Sequence, residues 1–124
     1  MKRTKKEITV YRRAALAVLR VCGAQLADHH YAYQLDTTAG LLRLSIDDGC
    51  VCTRFEDVEQ AKAQLPHRLM HDRLNPCSGK WNWMGGHTHD EDIADLAHFQ
   101  HELRRLLPAG HQPNPDLPLV PYEG

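Results

Sequence analysis

From position 31 to position 55 the chain reads YAYQLDTTAGLLRLSIDDGCVCTRF, and its apolar residues recur at every second position. Tyr31, Tyr33 and Leu35 alternate with Ala32, Gln34 and Asp36. Leu42, Leu44 and Ile46 alternate with Arg43, Ser45 and Asp47, and Val51, Thr53 and Phe55 alternate with Cys52 and Arg54. A period of two sends successive side chains to opposite faces, which is what a half-buried antiparallel sheet requires. Thr37-Thr38-Ala39-Gly40 and Asp48-Gly49 supply the turns, since Gly accepts positive φ and Asp-Gly suits a tight hairpin. The stretch therefore predicts a three-strand meander with one apolar face, and helices must cover that face.

The flanking segments provide them. Thr4 to Cys22 predicts a helix, with Thr4 and Glu7 spaced as a capping box and Gly23 as its stop. At about 100° per residue, Ile8, Tyr11, Ala15, Val18, Leu19 and Cys22 share one arc. Lys5, Lys6, Arg12, Arg13 and Arg20 occupy the adjoining arc, with Leu16 as an apolar intruder. After the meander, acids at Glu56 and Asp57 open a second helix, and Val58, Ala61, Leu65 and Leu69 form its inward side. Pro66 breaks or restarts it. Lys80-Trp81-Asn82-Trp83 reads as a fourth strand, with one Trp in the core. Thr88 or Asp90 caps a third helix. Its buried side is Ile93, Leu96, Ala97, Phe99, Leu103 and Leu107, and Asp95, His98, His101, Glu102 and Arg105 lie opposite, in water. Five prolines from Pro108 onward predict a tail. The expected architecture is a single α+β domain over 1–107, ordered α-β-β-β-α-β-α. It is a small antiparallel sheet, the three-strand meander plus a fourth strand, covered by about three helices. Residues 108–124 are expected to be a Pro-rich extended or disordered tail.

A chain of 124 residues is one domain by length. No apolar run approaches the ~20 residues of a membrane span, so no membrane partner is expected. Ala14–Val21 is too short and too flanked by arginine for a signal peptide, and the expected location is cytoplasmic. Four cysteines, Cys22, Cys50, Cys52 and Cys77, do not make a disulfide framework in a chain this long, and they are read as reduced thiols.

Charge is distributed unevenly. Residues 1–27 carry seven Lys and Arg against Glu7 alone, whereas the remainder carries eight basic and fifteen acidic side chains. The basic arc of the first helix has two readings: the solvated side of a core-packing helix, or a surface that meets phosphates or an acidic partner. Histidine offers a third chemistry. His67 and His71 fall four apart on one helical face, and His87 and His89 lie beside Asp90. Zinc can be shared by two such histidines, but the zincin pattern needs Glu where Arg68 stands, and the cysteines form no CxxC knuckles. The expectation is accordingly no cofactor and no metal, with His67, His71, His87 and His89 the candidates if zinc binds. Ser78-Gly79-Lys80 looks like the end of a P-loop, but the order is wrong and the upstream glycines are missing. No catalytic motif emerges, and the reading leans against an enzyme.

Three segments, YQLDTTAGLLRLSI, TRFEDVEQAK and LNPCSGKWNW, resemble a group of small, uncharacterised proteins of bacterial plasmids and phages. The resemblance runs from Tyr33 to Trp83. It implies a mobile-element accessory role, such as conjugation maintenance or inhibition of a host defence system, and it carries no activity onto any residue. Together these readings predict a non-catalytic interaction protein. Its protein partner would meet Lys5, Lys6, Arg12, Arg13 and Arg20 on the first helix, or Lys80 and Trp81 in the loop-rich stretch 75–83. The alternatives are direct nucleic-acid binding through the first helix, and a small metal-dependent enzyme.

Overall fold

The computed structural model of the protein describes residues 4–27, 32–46, 51–64, 80–81 and 88–118. Its elements are α1 (Lys5–Val21), β1 (Gln25–Leu26), β2 (Ala32–Thr37), β3 (Gly40–Ile46), β4 (Val51–Phe55), α2 (Val58–Gln64), β5 (Lys80–Trp81) and α3 (His89–Arg104). The strands form one antiparallel sheet in sequence order, β1-β2-β3-β4-β5. The α+β class, the meander and the added strand are as expected. The two-residue edge strand β1 was not foreseen. It exists through pairing with β2, Gln25 opposite Gln34 and Leu26 opposite Tyr33.

Alternation decides the two faces of the sheet. Register places Tyr33 beside Leu44 and Leu44 beside Thr53, then Leu35 beside Leu42 and Leu42 beside Phe55. All of these are buried, with Val51 at the end of the same face. Ile46 is half-buried and packs against them. The opposite face carries the row Gln25, Gln34, Arg43, Arg54 across four strands, and both arginines are exposed. Thr53 is fully buried, and its hydroxyl finds no hydrogen-bond partner among the described residues. Asp47 and Tyr31 lie outside the described residues.

α1 begins as its sequence requires. The Thr4 hydroxyl accepts from the Glu7 N–H (3.1 Å), and the Glu7 carboxylate accepts from the Thr4 N–H (3.0 Å). The buried arc is wider than the expected one. Leu16, placed among the cations by the helical wheel, is 1 % exposed. α1 packs against α3 and also contributes Tyr11, Ala15 and Leu19 to the core cluster that holds the sheet's apolar face, so two neighbours cover it. Arg12 falls between Leu19 and Leu16 on the wheel, and it is consequently half-buried. Its guanidinium acts on Tyr33, where burial pushes the phenol pKa up and Arg12 offsets part of that rise.

Cys22 caps α1 and is a free, buried thiol. Burial pushes its pKa up to about 11, and the Arg104 charge offsets part of that rise. The unfolded thiol ionises first, near the ordinary value of 9.0, so stability carried by this site declines as pH rises from there toward about 11. In native protein at pH 8, iodoacetamide should leave Cys22 unmodified by peptide mapping, and denaturant should make it react. Rapid native labelling would mean that the end of α1 opens.

α3 starts with a second capping box. Thr88 Oγ1 accepts from the Glu91 N–H (3.1 Å), and the Glu91 carboxylate accepts from the Thr88 N–H (3.3 Å). The helix is rotated from the expected setting. Leu96, Phe99 and Leu103 are buried, but Ala97, expected inside, is exposed, and Glu102, expected in water, is 4 % exposed. The large side chains choose the arc, and a single alanine methyl does not compete with them. Asp92 lies between Phe99 and Leu103 on the wheel, so burying those two buries it as well. Glu102 is held by the Arg105 guanidinium at 3.2 and 3.4 Å. Leu106, just past the helix, enters the core in its turn, and its carbonyl accepts from the Thr38 N–H of the β2–β3 turn (2.8 Å).

Residues 108–118 have no helix or strand, as their prolines predict, yet they are docked. Asn114 donates from its backbone N–H to the Arg20 carbonyl and from Nδ2 to the Ala24 carbonyl, both at 2.9 Å. The Arg20 guanidinium donates to the Pro115 carbonyl. Leu117 is 2 % exposed. At the Arg20 carbonyl, in the last turn of α1, the strap adds a second donor beside the Gly23 N–H (3.2 Å). Gly23, at φ +79, lies directly beneath it against His111 and Gln112.

Candidate interaction surface

The five cations of α1 divide into two groups. Lys5, Lys6 and Arg13 are exposed. Arg12 is half-buried near Tyr33, and Arg20 is half-buried with its guanidinium on the strap. Lys6, Arg13 and Arg20 recur every seven residues and so form one row along the helix. α1 contains a single acid, Glu7, and its carboxylate serves the N-cap. The row is thus cationic from end to end, with its free charge concentrated at Lys6 and Arg13.

Lys80 and Trp81 belong to a different element. They form β5 at the edge of the sheet, Trp81 opposite Val51 and Lys80 opposite Cys52. The rest of the predicted loop-and-strand stretch, including Asn82 and Trp83, lies outside the described residues. So do His67, His71 and His87 among the zinc candidates. His89 is the first residue of α3 and is half-buried. Among the described residues no group of three or more His, Cys, Asp or Glu side chains comes together to hold a metal ion, and no helix is long and apolar enough to cross a membrane.

Two further features escaped the sequence reading. Gly23, Gln25, Gln34, Asp36, Leu41 and His111 line a small polar notch where the strap meets the sheet edge. His111 Nε2 is buried there, with no hydrogen-bond partner among the described residues. On the open sheet face, Arg43 and Glu56 form an ion pair at 3.3 Å, with both side chains about half exposed (44 % and 56 %). Such a pair in water contributes little to stability. It neutralises Arg43 locally. No protein-family model matches the chain, and comparisons with curated proteins and with solved structures gave no match.

Proposed function

We propose that this chain is a non-catalytic interaction protein that meets a protein partner through the cationic side of α1. One observation carries the reading: Lys5, Lys6 and Arg13 are exposed on a helix whose only acid is occupied at its cap. Like charges along one face repel, and a helix that only needed solubility would interleave acids with them. A contact with an anionic surface relieves that repulsion. The resemblance to small plasmid and phage proteins supplies the biological frame, an accessory protein acting on a host complex that defends the cell or handles nucleic acid.

The structure selects the variant that tests this. Arg12 and Arg20 have neighbours within the chain, so neutralising them mixes folding with binding. Lys5→Gln, Lys6→Gln and Arg13→Gln together touch only exposed charge. Stability in urea melts should stay within about 1 kcal/mol of the parent. Partner capture from a bacterial extract should be lost, and the salt dependence of any residual binding should shrink. If the triple variant captures the same proteins as the parent, the contact surface lies elsewhere. If nuclease treatment abolishes capture, direct nucleic-acid binding replaces this reading.

A further inference from the structure

The cations of α1 border an apolar seam. Val10 and Val21 are 44 % and 39 % exposed. Ala17 is exposed between them, and Ala14 is half-buried at the seam's inner margin. Positions 10, 14, 17 and 21 are spaced four, three and four residues apart, so they stack as one stripe along the helix. Lys6 lies one turn from Val10, Arg13 lies one turn from both Val10 and Ala17, and Arg20 lies one turn from Ala17. The outer side of α1 therefore has the layout of one half of a helix pair: a narrow apolar seam with a charged row on its flank, at the spacing that helix pairing uses.

From this layout we infer that the outer side of α1 docks an amphipathic helix of a partner protein, one with an apolar seam and a flank of Glu or Asp. The inference rests on the interaction reading above and gives the partner its chemistry. Charge complementarity selects this occupant. A second copy of α1 in antiparallel array would set Lys6, Arg13 and Arg20 against the same row. In parallel array, the row would need acids on the opposite flank, where Tyr11 and Val18 are instead buried in the chain's own core. A second copy's α3 offers exposed acids only in its first turn, Asp90 and Glu91, and then presents His98, His101, Arg104 and Arg105. That helix cannot match a cationic row two turns and more in length. A phosphate backbone would satisfy the cations but leave Val10, Ala17 and Val21 facing a polar surface. An acidic amphipathic helix satisfies both stripes together.

The test uses the full chain and four probes. One is a synthetic helical peptide of four heptads with Leu in its seam and Glu on its flanks. The second has the same seam with Lys flanks, the third has the Glu peptide's composition scrambled, and the fourth is a DNA duplex. Backbone amide NMR shifts and fluorescence anisotropy read the binding. The Glu-flanked peptide should bind with shifts centred on α1 residues 6–21, at least tenfold tighter than the Lys-flanked or scrambled peptide. Val10→Gln with Val21→Gln should weaken it tenfold or more at both low and high salt, and far-UV circular dichroism should show the fold unchanged. Lys6→Glu with Arg13→Glu should reverse the preference in favour of the Lys-flanked peptide. That charge swap cannot arise from misfolding.

Three results would overturn the inference. Duplex binding tighter than the peptide and indifferent to the valine changes would make the face a phosphate site. A dimer of the chain dissolved by Val10→Gln and Val21→Gln would make the seam a self-contact. Failure of every helical peptide, while partner capture still depends on Lys6 and Arg13, would remove the helix and leave the interaction reading standing. Capture that ignores Lys6 and Arg13 would remove both.

Discussion

Leu44→Ala should destabilise the protein by about 2–5 kcal/mol, the range for deleting a leucine side chain from a packed core. Leu44 is the centre of the buried sheet face, with Tyr33 on one side and Thr53 on the other, and it is 2 % exposed. A cavity there borders three strands at once, so no single neighbour can move to fill it. Arg43 is the control. It lies one residue away, exposed on the opposite face, and its ion pair to Glu56 stands in water. Arg43→Ala should change stability by less than about 1 kcal/mol. Urea melts of the two variants test the register directly. Because the side-chain period is two, slipping by one residue would exchange their effects. A loss below 1 kcal/mol for Leu44→Ala would contradict the register described here.

Gly23→Ala should cost on the order of 3 kcal/mol, and the reasons for the loss can be separated. At φ +79 any L side chain is strained, which accounts for about 1–2 kcal/mol. The remainder comes from the strap. A methyl at position 23 would overlap the Gln112 carbonyl oxygen and His111 Nε2. The carbonyl belongs to the backbone, so the strap must lift, and overpacking of this kind costs about 1–3 kcal/mol. Gly110 isolates the second contribution. It has the same φ of +79, but a methyl there meets nothing within 4 Å. Gly110→Ala should therefore lose only the backbone part. Equal losses at the two glycines would show that the strap is not seated on α1 in solution.

Much of this fold was legible because its determinants are local. A capping box needs only Thr and Glu three residues apart: the one expected at Thr4 formed, and Thr88, one of the two caps expected for α3, formed a second. The meander follows from alternation within single strands. What escaped is whatever depends on a neighbour distant in sequence. β1 is two residues long and shows no alternation, so only its pairing with β2 defines it. Leu16 looked like an intruder among cations because the width of a helix's buried arc depends on how many elements cover it. Glu102 and Ala97 exchanged places because the rotation of α3 was decided by Phe99 and Leu103 against the core. The prolines after position 107 were read as a tail, and they do exclude helix. They say nothing about Asn114, whose partners lie some ninety residues earlier. The candidate surface divided along the same line. That α1 is cationic was plain from residue types. That Arg20 is tied to the strap while Lys6 and Arg13 stand free was not.

The bonds between Arg20 and the strap also bear on the order in which the molecule can assemble. The side-chain contact to Pro115 spans 95 residues, and the Asn114 contact to Ala24 spans 90. Contacts this distant in sequence raise contact order and slow the search for the native state. During synthesis at about 5–20 residues per second, Asn114 follows Arg20 by roughly 5–20 s. Until α3 and then the strap have been made, α1 has neither α3 beside it nor its cover at the C-terminal end. A helix of 17 residues is marginal without such neighbours. The cationic helix thus becomes available on the ribosome well before the domain that later holds it can close. A partner helix that pairs with α1 at that stage would act as a folding template as well as a target.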